Sequence, residues 1–159
     1  MYHSQSIEQW YMNITGLKMV VPSTPYDAKG LLKACIRDNN PCIFLEHKKL
    51  YRTIKEEIQD DDFIIPIGKA DIKRQGNHIS VYCYGLMYHR VVQAANILAK
   101  EGIDLEIVDL RSLLPLDNET ILESVKKTGK AIVVHEASKT GGVGAEIASI
   151  INEEAWDYL

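Results

Sequence analysis

The regular alternation of short apolar runs with amphipathic segments after residue 78 constrains the fold more than any other feature. Three runs have the length and the β-branched content of buried strands: ISVYCYG (79–85), IDLEIVDL (103–110) and KAIVVHEA (130–137). A helical pattern follows each run: Met87 to Lys100, a segment capped by Asp117 that runs to about Lys127, and a segment from Gly142 through Ile150. Three β-α repeats in succession predict an α/β domain with a parallel sheet.

Residues 1–47 predict a shorter alternation of helix, strand, helix and strand. The expected elements are a helix over 7–14 behind a Ser6–Gln9 capping box, a buried strand over 17–21, a helix from Thr24 to about Asp38, and a buried strand over 42–47. Two crossover units of this kind would form an open half-sheet with exposed strand edges. We therefore expect residues 1–47 to be poorly ordered or to pair with another copy of the chain.

The stretch between these two patterns has no apolar period. It contains the acidic sequence KEEIQDDDF, which is typical of a solvated connection. The predicted organisation is a first domain over 1–47, a linker over 48–67 and a second domain over 68–159. For the acidic residues, a solvated loop without a partner is favoured over a docking role.

Composition excludes several classes of function. The net charge of -4 and the pI near 5.7 give no basic field for nucleic acid or an anionic membrane. The longest apolar runs are strand-sized and far too short to span a bilayer. The three cysteines form no C-x-x-C pair, which suits free thiols in a reducing compartment and predicts a cytoplasmic protein.

Two groups of residues invite a chemical interpretation. KTGGVGAE (139–146) has glycines between a strand and a helix, but it lacks the spacing and the lysine of a phosphate loop, so a tight structural turn is favoured. The five histidines show no pair at metal-ligand spacing: His3, His47, His78, His89 and His135. His89 is expected on a solvated helix end, and His135, at a strand's carboxyl end, in a packing or interface role rather than a catalytic one. His3 precedes a helix start, where an imidazole is favoured in its neutral form.

The phrases YHSQS, GLKMVVPSTPYDAKGLLKACIRDNNPCIFLEHKKLYR, DLRSLLPLD, SVKKTGKAIVVHEA and GGVGAEIA resemble the β subunit of the thiamin-diphosphate-dependent 2-oxo acid dehydrogenases. The resemblance implies part of a pyrimidine-binding domain followed by a transketolase-type C-terminal domain. It also implies that the chain is cut at both ends and that the family's cofactor-contacting glutamate lies upstream. We therefore expect no cofactor-binding residue within the chain.

The same resemblance implies a catalytic residue and a set of partners. His3 matches the family's active-site histidine, which acts as a general acid or base during acyl transfer to the lipoyl arm. Thiamin diphosphate and magnesium would be shared with an α subunit in an α2β2 heterotetramer, which docks on a lipoyl acyltransferase core.

A structural potassium ion is implied at the turn between a helix and a strand. The matching positions are Cys35, Asp38 and Asn40, which would offer backbone carbonyl oxygens. An ordinary helix C-terminus and turn accounts for these residues equally well.

The functional hypothesis is oxidative decarboxylation of branched-chain 2-oxo acids with acyl transfer to lipoyl groups. The alternative is that the chain belongs to the β subunit of a pyruvate or acetoin dehydrogenase. A second hypothesis is that the isolated chain is catalytically inert and serves as a subunit-association domain.

Overall fold

The computed structural model describes residues 5–159, which form two adjoining sheets with helices around them. The strands are β1 (Lys18–Val20), β2 (Cys42–Phe44), β3 (Asp71–Arg74), β4 (Ile79–Cys83), β5 (Leu105–Asp109), β6 (Ser112–Leu114) and β7 (Ala131–Val134). The α-helices are α1 (Pro25–Arg37), α2 (Leu50–Thr53), α3 (Leu86–Leu98), α4 (Asn118–Thr128) and α5 (Val143–Glu154). Short 3₁₀ helices occupy Glu8–Trp10, Ala99–Glu101 and Trp156–Tyr158.

The larger sheet has the strand order β3-β5-β4-β7. β4 pairs in parallel with both β5 and β7, as the β-α repeats predict. β3 pairs antiparallel with β5. The predicted parallel pairing of the three apolar strands is therefore confirmed, and the short polar strand DIKR adds an antiparallel edge that no apolar pattern marks.

The smaller sheet joins the two halves of the chain, in the order β2-β1-β6. β1 and β2 are parallel, whereas β6, from beyond residue 111, pairs antiparallel with β1. The backbone amide of Val21 also donates to the carbonyl oxygen of Arg111 at 2.7 Å. One edge of the expected open half-sheet is thus covered by the same chain, so pairing with another copy is not needed there.

A shared core holds the sheets together. Met19 and Val21 of the smaller sheet pack in one cluster with Tyr82 and Val108 of the larger sheet. Ile147 of α5 completes this cluster. A second cluster lies under α3 on the opposite face of the larger sheet. Helices therefore cover both faces of the larger sheet, as in other α/β domains.

Local sequence explains where the main helices begin. Thr24 accepts a hydrogen bond from the backbone amide of Asp27 at 3.1 Å, and Pro25 occupies the first turn of α1. Asp117 accepts from the backbone amide of Thr120 at the start of α4. Both predicted caps are confirmed.

The predicted capping box at Ser6 and Gln9 is wrong. The segment forms only the 3₁₀ helix Glu8–Trp10, and no side chain caps its first turn. Glu8 is turned inward and is buried, and the side-chain amide of Gln9 donates to the hydroxyl of Ser138 at 3.5 Å. Long-range contacts therefore replace the local capping pattern.

The acidic segment is docked against α1. Asp62 forms ion pairs of 2.9 Å with both Lys33 and Arg37, and Phe63 stacks on Tyr26 with ring centroids 4.4 Å apart. These contacts hold the pKa of Asp62 below its usual value, with the Lys33 hydrogen bond as the largest cause. The expectation of acids without a partner is wrong for Asp62, since α1 presents its basic side chains to this segment.

Candidate functional site

The turn between α1 and β2 brings together the three residues expected to bind potassium. The backbone amide of Asp38 donates to the carbonyl oxygen of Cys35 at 3.3 Å, and the amide of Asn40 donates to the Asp38 carboxylate at 2.8 Å. The Lys18 ammonium also pairs with this carboxylate. The Lys18 hydrogen bond, followed by those from Asn40, lowers the pKa of Asp38 to about 2.

The donor set of this turn fits a cation only through its backbone. The carbonyl oxygen of Asn40 accepts a hydrogen bond from the Cys42 thiol at 3.5 Å. The carbonyl oxygen of Cys35 accepts one from the backbone amide of Asp38. Each carbonyl oxygen keeps a second lone pair for an ion. Within residues 5–159, no group of three or more histidine, cysteine or acidic side chains has the geometry of a metal site.

A charge cluster, here called the junction cluster, connects α1 to the larger sheet. It consists of Asp27, Asp71, Lys73, Asp109 and Arg111. Arg111 and Lys73 reach Asp27 at 3.3 Å and 3.0 Å, and Asp27 and Asp109 are fully buried. Sequence reasoning missed this cluster. The available signals were Asp27 in the first turn of an amphipathic helix and the charged pair that flanks Leu110 at the end of an apolar strand.

Ser23 links the junction cluster to the start of α3. Its hydroxyl donates to Asp109 Oδ1 and accepts from the backbone amide of Gly85, both at 2.8 Å. His89 Nε2 lies 2.7 Å from the carbonyl oxygen of Ser23. The expectation of a solvated His89 is therefore wrong, because this side chain ties α3 to the loop after β1.

Asp109 is the member of the junction cluster whose carboxyl group has a raised pKa. Its Oδ2 atom is buried without a hydrogen-bond partner among the described residues. Burial, followed by the nearby Asp27, raises the pKa of Asp109 to about 7. This carboxyl therefore titrates close to neutral pH.

A polar cavity, here called the intersheet cleft, opens where strand ends of both sheets meet. Its lining includes Glu8, Glu46, His47, Tyr84 and Glu136, and its volume is about 180 Å³. His47 Nε2, just after β2, lies 3.1 Å from Glu136 Oε2, just after β7. Strand carboxyl ends are where open α/β sheets place their sites, so this cleft is the best candidate site among residues 5–159.

His135 and the glycine turn have packing roles. The His135 ring stacks on Tyr84 with centroids 6.2 Å apart. A Cβ atom at Gly144 would lie 2.6 Å from His135 Nε2, and one at Gly142 would lie 2.3 Å from the carbonyl oxygen of Ser138. The glycines therefore allow close approach of the helix and the turn, in agreement with the structural interpretation of GGVG.

His3, the expected catalytic residue, lies outside the described residues. Gln5 and Ser6, which follow it in the chain, line the intersheet cleft. Within the part of the chain that the structure covers, no helix combines the length and apolar character needed to cross a bilayer.

Comparison with known proteins assigns both halves of the chain. A model of the transketolase C-terminal domain matches residues 68–159, and a model of the transketolase pyrimidine-binding domain matches residues 1–54. A solved split-gene transketolase, described as an inactive beta4 tetramer, superposes with a TM-score of 0.80 at 26% identity. The match covers 92% of this chain and 48% of that chain.

Curated relatives are more similar in sequence. A 2-oxoisovalerate dehydrogenase subunit beta of Bacillus subtilis (strain 168) is 54% identical over 153 residues, which are 96% of this chain and 47% of that protein. A pyruvate dehydrogenase E1 component subunit beta of the same strain is 50% identical over the same shares. The chain spans about half the length of the curated relatives it matches. It belongs to the transketolase C-terminal domain family, and its relatives include β subunits of 2-oxoisovalerate and pyruvate dehydrogenases.

Proposed function

We propose that the chain acts as part of the β subunit of a 2-oxo acid dehydrogenase that decarboxylates branched-chain 2-oxo acids. The single observation that carries this proposal is the 54% identity to the 2-oxoisovalerate dehydrogenase subunit beta over 96% of the chain. The 50% identity to a pyruvate dehydrogenase β subunit keeps pyruvate as the competing substrate. Acetoin remains a third substrate, on the resemblance alone.

His3 is the proposed catalytic residue. Thiamin diphosphate, when bound with magnesium, supplies the electron sink for loss of carbon dioxide from the 2-oxo acid. His3 holds or gives a proton while the acyl group passes to the lipoyl sulfur. The match of YHSQS to the family's histidine segment supports this role.

The proposed partners are an α subunit, in an α2β2 heterotetramer, and a lipoyl acyltransferase core. A tetrameric relative supports a multi-subunit assembly. Large exposed apolar side chains offer contact surface, since Trp10, Ile36 and Trp156 are 60%, 75% and 67% exposed. The same features support the second candidate function, a subunit-association domain that is catalytically inert by itself. Domain bounds of 1–47 and 68–159, with a linker between them, remain predictions.

A potassium ion at Cys35, Asp38 and Asn40 is a further part of the proposal. Their carbonyl oxygens lie in one turn, and the Asp38 carboxylate offsets the charge of Lys18 there. We also propose a cytoplasmic location, which the free thiols of Cys35, Cys42 and Cys83 support.

The substrate is tested in a complete subunit. The chain replaces the matching region of the Bacillus subtilis 2-oxoisovalerate dehydrogenase subunit beta, and the chimera is assembled with its α subunit, thiamin diphosphate and magnesium. Carbon dioxide release is then measured with 2-oxoisovalerate and with pyruvate in parallel. We expect the larger kcat/KM with 2-oxoisovalerate. An assembled chimera that prefers pyruvate, as the pyruvate dehydrogenase β subunit would, contradicts the substrate proposal.

A further inference from the structure

Two of the three cysteines lie together at the turn between α1 and β2. Cys35 belongs to the last turn of α1, and Cys42 is the first residue of β2. The Cys35 thiol donates a hydrogen bond to the Cys42 sulfur. The Cys42 thiol in turn donates to the carbonyl oxygen of Asn40 at 3.5 Å. The two sulfur atoms are therefore in direct contact across this turn.

The backbone on both sides of this contact is fixed by other bonds. The carbonyl oxygen of Cys35 accepts from the amide of Asp38 at 3.3 Å, at the end of α1. Cys42 pairs in register with Lys18 of β1. The backbone amide of Lys18 also donates to the carbonyl oxygen of Pro41 at 3.0 Å. Because both ends of the turn are held, the folded protein keeps the two thiols close to each other.

The two thiols of the turn can also be reached by a small molecule. Cys35 and Cys42 are half-buried beside the exposed Asn40, whereas Cys83 is completely buried in β4. The Cys83 thiol donates to the carbonyl oxygen of Val108 at 3.8 Å. Disulfide formation needs a second sulfur within reach and access for the oxidant. Of the three cysteines, the pair in the turn meets both conditions.

We propose that Cys35 and Cys42 form a reversible disulfide under oxidising conditions. The oxidant is a low-molecular-weight disulfide such as glutathione disulfide. The two protein thiols pass two electrons and two protons to it, the Sγ–Sγ bond forms, and the oxidant leaves as two thiols. Exchange proceeds through a mixed disulfide on one cysteine, which the other cysteine displaces.

The new bond joins the end of α1 to the start of β2. Disulfides of cytoplasmic proteins are usually transient and respond to the redox state of the compartment. The pair is therefore a redox-sensitive modification site, and its thiols are free under reducing conditions. This inference does not depend on the proposed enzymatic function.

The test is a redox titration of the full chain in buffers of glutathione and glutathione disulfide. Mass spectrometry after thiol alkylation counts the free thiols, and peptide mapping identifies the bonded pair. We expect a monomeric product in which Cys35 and Cys42 are bonded and Cys83 is free. Dithiothreitol should restore all of the thiols. In urea, which unfolds the turn, the equilibrium constant for this disulfide should be at least about tenfold smaller.

Variants separate this pair from unspecific oxidation. Cys35→Ser and Cys42→Ser should each abolish the intramolecular disulfide and leave a mixed disulfide with glutathione on the remaining cysteine of the turn. Cys83→Ala is the control and should form the disulfide as wild type does. If Cys83→Ala does not fold, peptide mapping of the wild-type protein identifies the bonded pair by itself.

Four results would overturn the proposal. They are free thiols at Cys35 and Cys42 throughout the titration of the folded protein, disulfides between chains, a mixed disulfide that persists in wild type, and equal equilibrium constants in the native protein and in urea.

Discussion

Arg111 Nη1 lies 3.3 Å from Asp27 Oδ1, in a buried ion pair that joins the turn before β6 to the first turn of α1. The two residues are 84 positions apart in the chain. Lys73 approaches the other oxygen of the same carboxylate at 3.0 Å. The contact between the halves of the chain is therefore built on charges as well as on the shared apolar core.

Removing Arg111 should destabilise the protein strongly. Arg111→Ala leaves Asp27 buried with Lys73 as its remaining charged partner, and loss of one member of a buried pair costs about 3–5 kcal/mol. Urea unfolding measures the change in the free energy of unfolding. The exposed Arg90→Ala is the matched control and should stay within about 0.5 kcal/mol of wild type. Equal effects of the two variants would show that the pair does not stabilise the junction.

Asp109 should make stability fall as pH rises towards neutrality. Its pKa is raised from 3.8 in the unfolded chain to about 7 in the folded protein. Between these values the folded state binds more protons, so the free energy of unfolding decreases with increasing pH until about pH 7. Asp109→Asn removes this contribution. As the pH is raised from 5 to 8, the free energy of unfolding of Asp109→Asn should therefore increase relative to that of wild type.

Chemical denaturation at several pH values checks this sign. The other charged groups of the junction cluster remain in both proteins: Asp27, Asp71, Lys73 and Arg111. Parallel stability curves for wild type and Asp109→Asn would contradict the raised pKa.

The close packing of Gly144 against His135 is tested by the sign of the stability change on Gly144→Ala. Alanine in a helix is normally about 1 kcal/mol more favourable than glycine. Gly144→Ala should instead be destabilising by about 1–3 kcal/mol, because its Cβ atom would lie 2.6 Å from His135 Nε2. In a His135→Ala background the same substitution should be neutral or stabilising. Thermal unfolding of the four proteins measures this coupling, and a stabilising effect of Gly144→Ala alone would refute the contact.

The hydroxyl group of Ser23 should stabilise the protein through its two hydrogen bonds, to Asp109 and to the Gly85 amide. Ser23→Ala leaves Asp109 Oδ1 without its hydroxyl donor and the Gly85 amide without its acceptor, at a cost of about 1–3 kcal/mol. The exposed Ser149→Ala is the control and should have little effect. Hydrogen exchange at the Gly85 amide should also accelerate in Ser23→Ala. Unchanged protection at this amide would contradict the bond.

Local signals were sufficient for most elements of the fold. Thr24, Pro25 and Asp117 mark helix starts through contacts within one turn, and strands β4, β5 and β7 follow their apolar runs. β3 and β6 were missed because each is defined by antiparallel pairing with a strand that is distant in the chain. The capping box at Ser6 failed for the related reason that Glu8 is drawn into the intersheet cleft.

The candidate site was less accessible from sequence. The turn at Cys35, Asp38 and Asn40 is local, so its three residues are brought together as expected. The pairing of His47 with Glu136 and of Arg111 with Asp27 depends on how the two sheets meet. Neither pair has a sequence spacing that could indicate it. The prediction of a catalytic role for His3 rests on the resemblance of YHSQS to the family's histidine segment.

The proposed role of His3 in acyl transfer is tested most directly by measuring lipoyl acylation by an assembled enzyme with His3→Gln. The chimeric β subunit is combined with its α subunit, and the rate of acyl transfer from 2-oxoisovalerate to a lipoyl domain is measured. We predict a loss of about 10²–10⁴-fold, the usual contribution of a general acid or base, with the exposed His78→Gln close to wild type. A His3→Gln enzyme that transfers acyl groups at the wild-type rate would contradict the claim.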